Sequence, residues 1–392
     1  MLMQKKVFSV LSVRPLPMEL GNHSVQCDIS YNPDRDKLAK TWRQLEAQAQ
    51  PSFFLSWLWI GSWLDSCVED CYLVEACMGS EVVGLGILVA QKSKLPFDSR
   101  KSYYLHRTGD PERDKLCMEY NDFLLLPQYA EKVRTAMLST VFLTLVGNGT
   151  LVVGASQAGL FDSALDLGAE RRCVWDSVAY KLDLNSLRAN QMSLDQCLSR
   201  SGRYQIKRSL KRYESLGEIT IDTAASVEAA LGMLAVAEPY HLERWGDQPG
   251  QSGFANPTFK HFHHCLIQRG TDSGEVVLHS IFAGDELIGV IYNFHYGNQV
   301  YFYLSALNYR LQDKHLKPGL TAHYLLINQA LSQGMDSYDF MAGATRYKQT
   351  FANSESPVAT YHYQLPHFAL RVEGSLRNLK QRITNGNRPS PS

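Results

Sequence analysis

One pattern of helices and strands occurs twice along the chain, and it limits the possible folds more than any other feature. Each copy is an apolar helical segment, three strands, a helix and a further strand. The first copy has a helix at 53–64, strands at 71–77, 82–90 and 101–106, and a helix at 127–142. The second has helices at 225–244 and 257–269, strands at 276–282, 287–296 and 300–304, and a helix after Pro318. Residues 81–87 and 286–292 are alike and stand at equivalent places.

Turn residues within the second copy predict antiparallel pairing. Gly284-Asp285 and Gly297-Asn298 separate the three strands, and such dipeptides favour hairpin turns. A chain of 392 residues is long enough for two cores. We therefore predict an α/β (α+β) protein of two tandem units, each a mixed, mostly antiparallel sheet flanked by helices. The expected divisions are an N-terminal extension at 1–25, units at 26–188 and 189–373, and a flexible basic tail at 374–392.

Composition excludes several classes of function. Lysine plus arginine equals aspartate plus glutamate, 39 against 39, so bulk charge does not favour nucleic acid. No run reaches the roughly 18 apolar residues of a membrane span. Arg14, Pro15 and Pro17 interrupt the start, which does not read as a signal peptide. The eight cysteines form no CxxC pair and are interpreted as reduced, mostly buried thiols. We expect a cytoplasmic protein without a metal.

A basic helix opens the second unit. Ser193 and Gln196 have the spacing of a capping box, and we predict one helix from there to a stop at Gly217. Five cations share one side of it: Arg203, Lys207, Arg208, Lys211 and Arg212. Such a face can hold the phosphates of coenzyme A, an acidic acceptor or a tRNA backbone, or it can simply be solvated.

The end of the helix at 225–244 carries candidates for an acceptor pocket: His241, Glu243, Arg244 and Trp245. The ordinary pKa of histidine, about 6.5, suits deprotonation of an amine near neutral pH, so His241 is a candidate general base. Glu243 and Glu238 compete for that role. His261, His263, His264 and Cys265 resemble metal ligands, but no acidic partner lies near them in the sequence.

Alternation along the strand at 300–304 places Tyr301 and Tyr303 on one face. The hydroxyl of Tyr303 is a candidate for protonating a leaving thiolate or orienting an amine. Packing in the core is the other interpretation of these rings.

Several segments of the second half together resemble a known family. They are 285–289, 301–306, Pro318-Gly319, 338–340 with Gly343, and Tyr347-Lys348-Gln349-Thr350-Phe351. This set resembles the CelD-like branch of the GNAT acetyltransferases, which is similar to the FemAB/FemX aminoacyltransferases with their tandem GNAT folds. The resemblance covers about residues 40–370.

The resemblance implies roles for individual residues. Lys317, Gly319 and Leu320 would present a helix N-terminus to the pyrophosphate of coenzyme A, with Arg208 and Arg212 as further phosphate ligands, although the full Gly-rich loop of ordinary GNAT enzymes is absent. Lys348 would stabilise the negative charge of the donor or the oxyanion. Asp339 and Tyr347 would contact the substrate. The first half lacks these motifs and is expected to be a degenerate copy, in which Arg107, Glu119, Asn121 and Asp122 border a cleft.

The expected function is N-acyl transfer without a metal. The donor would be acyl-coenzyme A, above all acetyl-coenzyme A, or an acyl carrier protein, and the acceptor an amine of a sugar, peptide or amino acid. Family context suggests cell-surface polysaccharide synthesis. Two alternatives stay open: an aminoacyl-tRNA-dependent ligase similar to FemX, and a non-catalytic scaffold in a polysaccharide-synthesis complex.

Overall fold

Thirteen strands from both halves of the chain form one mixed sheet in the computed structural model, which describes residues 24–93, 100–248, 251–311 and 313–366. The strands are β1 Val25–Tyr31, β2 Tyr72–Met78, β3 Glu81–Lys92, β4 Lys101–Leu105, β5 Leu124–Leu125, β6 Thr150–Gln157, β7 Glu170–Asp183, β8 Ile219–Thr223, β9 Val276–Ala283, β10 Glu286–Tyr296, β11 Gln299–Leu307, β12 Ser337–Ala342 and β13 Ser354–Gln364.

Helices cover the faces of this sheet. They are α1 Arg35–Ala49, α2 Trp57–Cys67, α3 Ala130–Val141, α4 Ser163–Asp166, α5 Leu184–Ala189, α6 Leu194–Cys197, α7 Arg200–Glu214, α8 Val227–Trp245, α9 Pro257–Gly270, α10 Pro318–Ser332 and α11 Arg346–Phe351. Short 3₁₀ turns lie at Phe53–Leu55, Arg113–Leu116, Pro127–Tyr129 and Gly253–Ala255. No helix in the described part of the chain is long and apolar enough to span a membrane.

The strand order repeats the sequence pattern. In the first half, β1 to β4 pair antiparallel in succession and β6 joins β4 in parallel. In the second half, β8 to β11 do the same and β12 joins β11 in parallel. The predicted fold class, two tandem units with mixed, mostly antiparallel sheets, is confirmed.

The last strand of each half crosses to the other half. β13 lies between β6 and β7, and β7 pairs with β12. The sheet therefore continues without a break across the division that we place at 188/189. We propose that the chain still consists of two units, and that one strand of each unit pairs with strands of the other. The expected flexible tail lies almost wholly outside the described residues.

Aromatic packing also joins the halves. The dense segment predicted as a single helix is a 3₁₀ turn followed by α2, and its rings reach into the second half. Phe53 stacks on Phe294 of β10 at 4.1 Å between ring centroids, and Trp59 meets Phe262 of α9 at 4.8 Å. These buried rings belong to one core cluster that both halves share, while a second cluster, which includes Leu182, Ile206 and Phe340, is separate from it.

Two sequence predictions about local structure were wrong. The basic helix is not continuous from Ser193, because Leu198 and Ser199 adopt extended backbone angles between α6 and α7. Ser199 then caps α7 by accepting the N–H of Gly202 at 3.1 Å. The thiols are also not mostly buried, since only Cys27, Cys67 and Cys71 of the eight are fully buried and Cys117 and Cys173 are exposed. The helix α1 and the strands β1 and β8 were not predicted.

The parallel pair β11–β12 is short, and this opens the sheet. The two strands pair at only three positions, from Gln299 with Ser337 to Tyr301 with Asp339. Beyond these, a bulge between Asp339 and Met341 turns β12 away, and Met341 has a φ of 60°. In the first half Asn121 bridges the corresponding strands, because its side chain donates to the carbonyl of Leu105 on β4 at 2.7 Å and its backbone N–H donates to that of Ala155 on β6.

Candidate active site

A cleft of about 850 Å³ lies where β11 and β12 separate. Its walls come from β11, the start of α10, the end of α8, and the turn between β12 and α11. Lys115 and Cys117 add a fifth wall from the first half. The cleft therefore belongs to the second unit but is completed by the first.

Nine of the residues singled out from the sequence line this cleft: His241, Arg244, Trp245, Tyr303, Lys317, Gly319, Leu320, Tyr347 and Lys348. Four others do not line it. Glu243 is exposed and accepts a hydrogen bond from Arg310 at 2.8 Å. Asp339 is buried behind the cleft, and Arg208 and Arg212 lie on α7, where Arg212 pairs with Asp313 at 3.1 Å.

Lys348 is a buried cation at the edge of the cleft. Its side chain is 7 % exposed, and its ammonium donates to the carbonyl of Met341 at 3.3 Å and to that of Ala342. The β12 bulge brings these two carbonyls to the ammonium. Burial lowers the pKa of Lys348, while the charges of Glu119 and Asp339 oppose that shift. Two of its three N–H groups are used, which leaves one for a ligand.

Glu119 brings a carboxylate from the first half to this lysine. Its Oε2 accepts the N–H of Ala342 at 2.7 Å. Burial raises its pKa well above the ordinary carboxyl value, and the positive charge of Lys348 opposes the rise. A carboxyl group shifted in this way beside a buried ammonium is a typical acid/base candidate. From the sequence, Glu119 was only one of several polar residues expected to border a cleft.

Asp339 holds the bulge in place. Its Oδ1 accepts the hydroxyl of Tyr120 at 2.8 Å and the N–H of Met341 at 2.8 Å, while Lys181 lies 3.4 Å from Oδ2. The side chain is 1 % exposed. In this position it orients the carbonyls that bind Lys348. The direct substrate contact expected for Asp339 stays a prediction.

Tyr303 lines the cleft with its hydroxyl already bonded on two sides. It donates to the carbonyl of Leu116 at 2.7 Å, and Nε2 of His263 lies 2.9 Å away. Burial lowers the pKa of His263 to about 3, so the ring is neutral and carries one N–H. That proton belongs on Nε2, because the Tyr303 hydroxyl donates its own proton to Leu116 and can only accept from the ring. Nδ1 is then left to accept from the hydroxyl of Tyr292 at 3.3 Å. His263, considered from the sequence only as a metal ligand, thus fixes Tyr303.

His241 is more buried than its sequence position indicates. Its Nδ1 lies 2.7 Å from the hydroxyl of Ser252, which accepts the N–H of Phe254 at 3.1 Å. Burial lowers the pKa of His241 to about 4. A neutral ring of such weak basicity suits hydrogen bonding to a ligand better than removing a proton from an amine. The base role of His241 stays a prediction, and Glu119, which has the better matched pKa but does not line the cleft, is the other candidate.

The start of α10 faces the cleft and is suited to an anion. Pro318 occupies the first turn, and Lys317 precedes it without a side-chain cap. Gly319 and Leu320 follow at the cleft wall. The first N–H groups of a helix have no partner within the helix, and the helix dipole is positive at this end. Phosphate groups are the ligands that such an end favours.

A buried hydroxyl pair anchors this helix start to α7. The hydroxyl of Ser209 accepts the N–H of Lys317 at 2.9 Å and meets the hydroxyl of Thr321 at 2.8 Å. We expect Ser209→Ala to lower the free energy of unfolding by about 1–3 kcal/mol, because buried partners lose their hydrogen bonds. Urea denaturation measures this. Ser215→Ala, at the exposed end of the same helix, should stay within about 0.5 kcal/mol of wild type. Equal effects of the two substitutions would contradict the anchoring role.

Comparison with known proteins places this geometry among acyl-transfer folds. Residues 200–349 match the family described as an acetyltransferase (GNAT) domain. The structure resembles FemX with a TM-score of 0.55 and 11 % identity, covering 86 % of this chain and 97 % of that one. It also resembles L-PGS from Bacillus licheniformis, with a TM-score of 0.51 and 12 % identity over 86 % of this chain and 95 % of that one.

A third similar structure is the C-terminal domain of a protein assigned as a lysylphosphatidylglycerol synthetase from Agrobacterium fabrum. Its TM-score is 0.54 at 8 % identity, with 89 % of this chain and 96 % of that one covered. At such identities these three likenesses show a shared fold. No curated protein matches the sequence significantly. The resemblance noted from the sequence is confirmed for a GNAT domain at 200–349 and for a fold shared with FemX.

Proposed function

We propose that this chain, whose residues 200–349 match the acetyltransferase (GNAT) domain family, is an N-acyltransferase that moves an acyl group from a coenzyme A thioester to an amine. Acetyl is the acyl group that we propose first. The observation that carries the proposal is the buried ammonium of Lys348 at the edge of the β11–β12 cleft, opposite the start of α10.

Two parts of the cleft, the start of α10 and the open edge of β11, suit the acyl donor. Lys317 and the N–H groups that begin α10 suit the pyrophosphate of the donor. The backbone of β11 from Phe302 onward pairs only with β10 among the described strands, so its other edge is open. An extended ligand with amide groups, such as the pantetheine arm, can pair with such an edge as an added strand does. The thioester would then lie beside Lys348.

The proposed reaction has one bond formed and one broken. The amine nitrogen attacks the thioester carbonyl, and the proton that the nitrogen loses passes through a water molecule to Glu119, which does not itself line the cleft. Lys348 stabilises the oxyanion of the tetrahedral intermediate. The carbon–sulfur bond then breaks, and the thiolate takes a proton from solvent or from Tyr303, whose hydroxyl must first release the carbonyl of Leu116. The products are the amide and free coenzyme A.

We define the acceptor only by its functional group, which is an amine on a sugar, peptide or amino acid. A role in cell-surface polysaccharide synthesis and use of an acyl carrier protein are further parts of the proposal that rest on the family resemblance. The cleft has room for a thioester and a small acceptor group together, since sites of about 300–1,000 Å³ hold drug-sized ligands.

One observation favours the alternative of an aminoacyl-tRNA donor. The basic face of α7 suits a phosphate backbone. Two of its five cations are neutralised, however, because Lys207 pairs with Asp195 and Arg212 pairs with Asp313. A thioester donor therefore remains the leading proposal.

The test is a screen of acyl-coenzyme A species against a panel of amines, with mass spectrometry of the products. Acetyl-coenzyme A at 100 times its Kd should raise the stability of the fold by about 2.7 kcal/mol, seen as a thermal shift. Nuclease treatment should leave the activity unchanged. Activity that is lost with nuclease, or that occurs with no thioester, would contradict the proposal.

The helix start gives a charge test of donor binding. We expect Lys317→Glu to raise the KM for acyl-coenzyme A at least about tenfold, because a carboxylate then faces the phosphates where a cation stood. Lys314→Glu is the matched control, since this exposed lysine does not line the cleft. Steady-state kinetics at two salt concentrations measure both variants. A similar KM for both would place the phosphates elsewhere.

A further inference from the structure

Two exposed aromatic rings and an arginine form a group at the mouth of the cleft. Trp245 at the end of α8 is 57 % exposed, and Tyr309 after β11 is 52 % exposed. The guanidinium of Arg244 lies 5.7 Å from the ring centroid of Trp245 and 5.2 Å from that of Tyr309. All three residues line the cleft. We call this group the aromatic platform.

The charge of Arg244 is not neutralised by a neighbour. Arg310, close by, lies 4.4 Å from the ring of Tyr240 and pairs with Glu243 at 2.8 Å. The structure describes all residues except 1–23, 94–99, 249–250, 312 and 367–392. Among the residues described, no carboxylate forms an ion pair with Arg244. The platform thus combines two half-exposed rings, each with the guanidinium over one face, and a guanidinium that has no carboxylate partner among the described residues.

These properties point to one chemical class of ligand. A nucleobase stacks on an exposed aromatic ring, and each such contact is worth about 1–3 kcal/mol. A guanidinium binds phosphate through two parallel N–H bonds. Sugar rings and acyl chains also pack on tryptophan, but neither uses the charge of Arg244. A purine carrying a phosphate uses both parts of the platform.

We propose that the aromatic platform binds the purine nucleotide of the acyl donor, with the base on Trp245 or Tyr309 and a phosphate on Arg244. The inference rests on the proposed function, because the nucleotide belongs to the molecule that carries the acyl group. It assigns Arg244 and Trp245 to the donor, whereas the sequence suggested the acceptor. The platform lies at the mouth, and the start of α10 lies along the same cleft, which allows one nucleotide to reach both.

The kinetic test compares acyl-coenzyme A with the corresponding acyl-pantetheine, which lacks the nucleotide. Trp245→Ala should raise the KM for acyl-coenzyme A by about 5- to 150-fold, leave kcat unchanged and leave the KM for acyl-pantetheine unchanged. Trp175→Ala is the matched control, since Trp175 is a 43 % exposed tryptophan on β7 outside the cleft. An equal rise for both donors would overturn the proposal.

Direct binding separates this inference from the proposed function. Calorimetry with adenosine 3′,5′-bisphosphate should show a Kd weakened in Trp245→Ala and in Arg244→Gln but not in Trp175→Ala. A short RNA ending in CCA tests the other source of a purine nucleotide, and Trp245-dependent binding of that RNA alone would assign the platform to tRNA. Unchanged affinity of both probes in Trp245→Ala would overturn the inference. Absence of acyl transfer from every thioester would instead contradict the proposed function.

Discussion

Replacing Lys348 by methionine is expected to lower kcat by about 10²- to 10³-fold, the usual loss when one stabiliser of an oxyanion is removed. Methionine keeps a long unbranched side chain in the buried site but removes the charge. The KM for the donor should change little, because the charge on the carbonyl oxygen develops only in the transition state. Steady-state kinetics with a saturating amine measure both constants.

Folding must be checked for the same variant, because the carbonyls of Met341 and Ala342 lose their donor. Thermal unfolding followed by circular dichroism serves this purpose. Lys260→Met is the control, since Lys260 is partly exposed and pairs with Glu238, and it should keep full activity. A folded Lys348→Met protein with wild-type kcat would remove the central element of the mechanism.

Glu119→Gln is the second substitution with a large expected effect, a fall in kcat/KM of about 10²- to 10⁴-fold. Glutamine keeps an oxygen that can accept the N–H of Ala342, so the turn after β12 should stay in place. Only the capacity to take a proton is lost. Because Glu119 comes from the first half, this loss would also show that the first half contributes to the chemistry.

The pH profile tests the same assignment. Burial raises the pKa of Glu119 to about 7 and lowers that of Lys348 to about 8. A base must be ionised, so kcat/KM should rise as Glu119 loses its proton. The oxyanion needs the ammonium, so kcat/KM should fall as Lys348 loses its proton. Wild type should therefore show a narrow bell-shaped profile, whose two limbs belong to the coupled pair.

In Glu119→Gln the rising limb should disappear, and the falling limb should move to lower pH because the carboxylate no longer raises the pKa of Lys348. The exposed Glu131→Gln variant serves as control and should keep the bell. A rising limb that persists in Glu119→Gln would assign the base to another group, with His241 as the next candidate.

The sequence predicted those features of the candidate site that depend only on residues close together in the chain. The hairpin turns around β10 and the proline that begins α10 depend on neighbouring residues, and both are where the sequence placed them. The motif at 347–351 selected Lys348, and the structure places it in the cleft with Lys317, Gly319 and Tyr303. The break at Leu198–Ser199 was missed because the capping box of Ser193 masks a second cap at Ser199.

The hydrogen-bond partners of these residues could not be predicted from local sequence patterns. The hydrogen bond between Tyr120 and Asp339 joins residues 219 positions apart, and the one between Glu119 and Ala342 joins residues 223 apart. Neither spacing leaves a periodic trace in the sequence. His263 was ambiguous for the same reason, since its role depends on Tyr303, which reaches it from β11 and donates to the carbonyl of Leu116 in the first half.

The amino-acid pattern alone therefore predicted the repeated order of elements, the fold class and a lysine at the edge of the cleft, because periodicity, turns and short motifs act over a few residues. Tertiary structure alone decided that the halves exchange their last strands and that the charge of Glu119 acts on Lys348. Both depend on which distant backbone groups find a partner, and only the assembled sheet selects among those pairings.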